Sequence, residues 1–128
     1  MIGYVMVGTN NIKESGAFYD KLLAEFGAER MWEMEKSIIW NFGEGKPFFC
    51  ITLPYDGKEA SVGNGSMIAL AAPNVEAVDR IYGAAMEAGA TDEGAPGSRG
   101  DESMGFYAGY FRDLDGNKLN VYHMKPQG

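Results

Sequence analysis

The chain has 128 residues, 45% of them hydrophobic, with 11 basic against 18 acidic residues and a formal net charge of −7. That length suits one domain, and a domain of this size buries roughly two-thirds of the surface its unfolded chain exposes. The composition excludes a disordered chain, and no apolar run approaches the ~20 residues that span a bilayer, so no membrane partner is expected. An acidic chain without a basic run repels nucleic acid, which is excluded as a partner.

The N-terminal stretch has neither a basic region nor a long apolar segment, so a signal peptide is not expected. The single cysteine, Cys50, has no intramolecular disulfide partner, and the cytoplasm is the expected compartment. The acidic residues are dispersed, as on an ordinary solvated surface. They could attract a cationic ligand, but net charge alone does not establish one.

In chain order, residues 2–9 (IGYVMVGT) are short, β-branched and end in polar residues, which predicts a strand. Asn10 or Asn11 can cap a following helix, because a short side-chain oxygen accepts from free N–H groups of the first turn. Ile12, Ser15, Phe18, Tyr19, Leu22, Leu23 and Phe26 recur at helical spacing, and Gly27 ends the run. Strands are predicted over 29–33, 37–42 and 47–53, the last two joined by a turn at Gly43-Glu44-Gly45-Lys46.

Residues 54–65 are a connector rich in glycine and small residues, and the same order then restarts. A strand is predicted over 66–72, then a helix capped by Asn74 with Val75, Val78, Ile81, Tyr82 and Ala85 on its apolar face and Gly89 at its end. The stretch 94–100 (GAPGSRG) is expected to be a mobile surface loop, a flap near a cleft mouth on which Arg99 could meet an anionic group. Strands over 106–112 and 118–124 are joined by Asp113-Leu114-Asp115-Gly116-Asn117, residues that suit a tight turn.

An offset of 63 residues, the difference between 74 and 11, lays one half on the other. It carries Asn11 onto Asn74, Tyr19 onto Tyr82, Leu22 onto Ala85 and Tyr4 onto Met67. The fold class is therefore α+β, in two copies of a strand–helix–strands unit: module 1 at about 1–56, module 2 at about 64–126 and a connector at about 54–65.

Three stretches, IGYVMVGTNNIKESGAFYD, GNGSMIALAAPNVEAVDRIY and above all YAGYFRDLDGNKLNVYH, resemble the vicinal oxygen chelate superfamily of glyoxalases, bleomycin-resistance proteins and ring-cleaving dioxygenases. The resemblance implies two βαβββ modules forming a curled mixed sheet around a cleft. In metal-dependent members, ligands project into the cleft from the first and last strands of each module. Carried over to this sequence, those positions are Tyr4, Met67, Asn120 and Phe49, or Cys50 if the turn slips by one.

Relatives that bind a metal have His, Glu or Gln at these positions, and a divalent Lewis-acid metal wants imidazole and carboxylate. His123 is the single histidine, and its parity differs from that of Asn120, so it points to the opposite face. No metal and no cofactor are expected, and the catalytic residues are unassigned. Metal-dependent lyase or dioxygenase activity is not expected.

The vacated cleft becomes an aromatic and thioether-lined pocket with Tyr4, Met6, Phe49, Met67, Tyr107, Asn120 and Tyr122 as candidate ligand-binding residues, unless these side chains simply fill it. The expected function is metal-free binding of a small aromatic or amphipathic molecule, in the manner of drug-sequestering bleomycin-resistance members. The alternative is a lyase, isomerase or dioxygenase-type enzyme of the same superfamily, with Asp101, Glu102, Tyr4 and Tyr107 as proton carriers. A homodimer is the expected assembly, with strand 106–112 exposed for close contact between chains.

Overall fold

A computed structural model describes residues 1–126. Module 1 runs β1 (Tyr4–Gly8), α1 (Ile12–Ala24), β2 (Glu29–Glu33), β3 (Ser37–Asn41) and β4 (Phe48–Thr52). Module 2 repeats the order as β5 (Ile68–Ala71), α2 (Val75–Glu87), β6 (Thr91–Ser98), β7 (Phe106–Arg112) and β8 (Lys118–Met124). A single 3-10 turn, Glu102–Met104, precedes β7. Each module forms a four-stranded sheet, ordered β1-β4-β3-β2 and β5-β8-β7-β6. Within each sheet the first strand pairs parallel with the last and the remaining pairs are antiparallel.

The helices form where the spacing predicts, and for the reason given by their caps. Asn11 accepts from the Glu14 amide at 3.0 Å, and Asn74, 63 residues on, accepts from the Ala77 amide at 2.8 Å. Both helices cover one face of the sheets. Phe18, Tyr19, Leu22 and Leu23 of α1 and Ala77, Val78, Ile81 and Ala85 of α2 share one buried core with Trp40, Phe49, Ile51, Phe111, Leu119 and Val121. Alternation along each strand then sends the intervening side chains to the face away from the helices, called here the open face.

Two expectations about module 2 are corrected. The stretch 94–100 is not a free loop, because β6 runs through Ser98 and pairs with β7, with register shifts on either side of Gly94. It is an edge strand, where the missing N–H of Pro96 can face outward and a bulge absorbs the irregular sequence. Strand β7 is not an exposed edge either. It lies between β6 and β8, with Ala108, Gly109 and Phe111 buried. Strands β2, β7 and β8 have the predicted limits, and the ends of β1, β4 and β5 and the C-terminal end of β3 fall one or two residues inside theirs.

The turn between β7 and β8 joins the modules. Asp113, which is buried, accepts from the Tyr19 hydroxyl of α1 at 2.6 Å and from the Asp115 amide, the Asn117 amide and the Asn117 side chain at 2.9 Å. Asn117 also donates to the Gly8 carbonyl at 2.9 Å, and Asp115 accepts from the Asn10 amide at 2.9 Å. The most specific sequence motif, R-D-x-D-G-N-K, therefore pins module 2 to the first strand and helix of module 1. Among the described residues, no helix is long and apolar enough to cross a membrane.

Candidate ligand-binding face

The strand registers lay out the open face as rows. In module 1, Met6 lies beside Cys50, Cys50 beside Ile39 and Ile39 beside Trp32. In module 2, Ala69 lies beside Asn120, Asn120 beside Tyr110 and Tyr110 beside Gly94. These are equivalent rows of the repeat, since the 63-residue offset carries Met6 onto Ala69. One row is apolar throughout, whereas the other is aromatic and polar.

Two hollows open along the seam where β1 of one sheet approaches β5 of the other. The larger, about 450 Å³, is lined by Ile2, Val5, Phe26, Phe42, Phe48 and Leu70, among others. That volume lies in the range of small-molecule sites, and its walls are almost entirely apolar. The smaller, about 130 Å³, brings Met6 and Met67 together with Ser66 and Lys118.

The candidate residues separate by face. Tyr4, Met6 and Met67 stand on the open side and are 63%, 48% and 44% exposed. Asn120 is on this face but buried, and its Oδ1 has no hydrogen-bond partner. Tyr122 is half-buried there and stacks on Phe106, with ring centroids 5.5 Å apart. Phe49 and Tyr107 face the helices instead. Phe49 is buried with its ring 4.7 Å from that of Tyr19, and it meets open space only as part of the larger hollow's wall. Tyr107 donates to Asp79 of α2 at 2.7 Å, and that bond raises its hydroxyl pKa.

Register thus selects Cys50, not Phe49, as the counterpart of Asn120, because Met6 lies beside Cys50 as Ala69 lies beside Asn120. Burial pushes the Cys50 thiol pKa up, so at neutral pH it is a small apolar group and not a thiolate. Trp32, 59% exposed, belongs to the face and is absent from the sequence-derived set. The bulge between Arg30 and Trp32 in β2 moves its side chain across the sheet. Asp101 is not free for proton transfer. It caps the 3-10 turn by accepting from the Ser103 amide, which holds its carboxyl below the usual range.

Comparison with known proteins matches the Glyoxalase/Bleomycin resistance protein/Dioxygenase superfamily over residues 1–121. The chain belongs to this superfamily. A solved glyoxalase/bleomycin resistance protein from Albidiferax ferrireducens is 35% identical, covers 98% of this chain and 99% of its own, and superposes with a TM-score of 0.87. A lactoylglutathione lyase from Agrobacterium tumefaciens is 18% identical with a TM-score of 0.69, over 96% of this chain and 92% of its own. A hypothetical protein from S. aureus is 21% identical with a TM-score of 0.73, over 94% of this chain and 91% of its own. Both likenesses show the shared fold. No curated protein matches.

The side chains at the positions that the resemblance assigns to metal ligands do not fit a divalent metal of the Lewis-acid kind. Tyr4, Cys50, Met67 and Asn120 present a phenol, a thiol kept protonated by burial, a thioether and one amide oxygen. Imidazole and carboxylate are missing from the set. Among the described residues, no three His, Cys, Asp or Glu side chains are grouped to hold an ion. His123 does not rescue the site, since its Nδ1 lies 3.2 Å from the Ala72 carbonyl on the helix side.

Proposed function

We propose that the open face binds a small aromatic or amphipathic molecule without a metal, and that the protein acts as a binding member of its superfamily. The observation that carries this reading is the Asn120 Oδ1. It is an acceptor held away from water with no partner, set between Ala69 and Tyr110. A buried unpaired acceptor costs about 1–3 kcal/mol, and a ligand donor would remove that cost. The neighbouring apolar row, the small hollow between Met6 and Met67 and the stacked Phe106–Tyr122 pair supply a surface for flat rings. Tyr4, Met6, Met67 and Tyr122 remain the proposed contacts from the sequence, joined by Tyr110.

The reading includes a homodimer in the cytoplasm. Tyr4, Met6, Trp32 and Met67 expose more apolar surface on one face than scattered single residues would, and a second copy would cover part of it. Thermal denaturation with a panel of aromatic and amphipathic compounds tests the binding reading. At least one compound should raise Tm by several degrees at saturating concentration. No shift with any member of a broad panel would count against it.

A further inference from the structure

Net and local charge disagree on the open face. The chain carries −7, yet β5, β7 and β8 contain no Asp or Glu. Both acids of β6 are engaged. Asp92 accepts from the Tyr82 hydroxyl and the Gly94 amide, and Glu93 pairs with Arg112. Lys118 and Arg99 are left with no carboxylate partner among the described residues.

The two cations converge on one ring. Lys118 Nζ lies 5.6 Å from the Tyr110 ring centroid, and Arg99 Cζ lies 5.5 Å from it. Arg99 is fixed there by donating to the Ala95 carbonyl at 2.7 Å and the Ser98 carbonyl at 3.3 Å. Two glycines make the room: a Cβ on Gly97 would stand 3.0 Å from Nη1, and one on Gly94 would stand 3.3 Å from Nη2. The guanidinium has further N–H groups that these bonds do not use. Lys118 also lines the small hollow beside Met6 and Met67. Tyr110, which both cations approach, is the lateral neighbour of Asn120.

Neither cation is neutralised by a carboxylate, and an anionic group that reaches the Tyr110 ring from the open face gains attraction to both. We propose that the ligand is an amphipathic organic acid. Its carboxylate, sulfonate or phosphate group would be received by Lys118 and Arg99. Its ring system would lie toward Met6 and Met67 at the small hollow that Lys118 also lines, and an N–H or O–H would be directed at Asn120 Oδ1. This deepens the binding reading above and rests on it. It also reverses the ligand charge that the acidic composition alone suggests.

Two dyes isolate the anionic group. 8-Anilinonaphthalene-1-sulfonate and N-phenyl-1-naphthylamine share the same rings and the same N–H, and differ by the sulfonate. In fluorescence titrations of the full chain, the sulfonate should bind about tenfold more tightly, the scale of one charge-assisted contact. An Arg99→Gln/Lys118→Gln double variant should reduce the preference to about threefold or less, and added salt should shrink it in the wild type. Lys13→Gln, on the exposed side of α1, should leave the preference intact. Met6→Ala, beside Lys118 at the small hollow, should weaken both dyes alike.

Equal affinities in the wild type, or a preference that survives the double variant, would overturn the organic-acid assignment while leaving the binding reading in place. Failure of both dyes to bind a chain with an unchanged circular dichroism spectrum would overturn the binding reading itself, and this inference with it.

Discussion

Asn120 separates a structural from a functional account of the open face more sharply than any other side chain. Among the described residues, its Oδ1 is the one buried side-chain polar atom without a partner. If the amide served only the fold, exchange for an apolar side chain of similar shape would cost stability. If it awaits a ligand, the exchange removes an unpaired acceptor and loses nothing in the free protein. Asn120→Leu should therefore leave the unfolding free energy unchanged or raise it by about 1–2 kcal/mol while weakening ligand binding. Urea denaturation measures the first effect and dye titration the second. A loss of stability as large as that expected of a core cavity would assign the amide to the fold.

Single residues were also where sequence reading was least secure. Phe49 and Cys50 are adjacent, and a slip of one residue exchanges the faces of a strand. The β1–β4 register decides between them, and register depends on a partner strand far away in sequence. Trp32 could not be placed by alternation, because the bulge before it interrupts the alternation.

At the scale of elements, the limits of strands β2, β7 and β8 were legible, since helix-ending Gly27 precedes the first and the Asp113–Asn117 turn divides the aromatic run of the second from the third. Strand β6 was not. Its TDEGAPGS sequence has the composition of a loop, and it is a strand only because β7 offers a ladder to pair with. The R-D-x-D-G-N-K segment was legible as a turn, but its wider role was not, because Tyr19 lies 94 residues from Asp113. That contact gives a prediction for the β7–β8 turn. Tyr19→Phe removes a donor from a buried carboxylate and should cost about 2 kcal/mol, several degrees in Tm. Tyr82→Phe, at the equivalent position of the repeat, should cost less, because Asp92 is exposed. Equal losses from the two would contradict the view that the first contact joins the modules.

For the whole molecule, the two tyrosines also set an alkaline limit. Burial first and Asp113 second raise the Tyr19 hydroxyl pKa well above 10.0, and burial with Asp92 pushes Tyr82 up to about 12. A folded-state pKa above the unfolded value means that the folded chain holds the proton longer. The associated stability is present below about pH 10 and is lost as pH rises through the folded values. Tm should accordingly fall between about pH 10 and pH 12, more steeply than in Tyr19→Phe/Tyr82→Phe, as scanning calorimetry at successive pH values would record. A Tm independent of pH across this interval would contradict the assignment.

The repeat itself was readable from the 63-residue offset, because caps and helix faces are local features that survive duplication. Local charge was not readable in the same way. Lys118 and Arg99 approach the same ring only because a glycine-containing edge strand lays the arginine over Tyr110.

The central claim is that a metal-free ligand site lies on the open face around Asn120. Nuclear magnetic resonance of isotopically labelled protein, titrated with 8-anilinonaphthalene-1-sulfonate in the presence of a chelator, tests it most directly. The account predicts saturable shifts of the Asn120 side-chain amide and of the Ala69 and Tyr110 backbone amides, undiminished by the chelator. Shifts confined to the helix face, or binding that appears only after a divalent metal is added back, would contradict it.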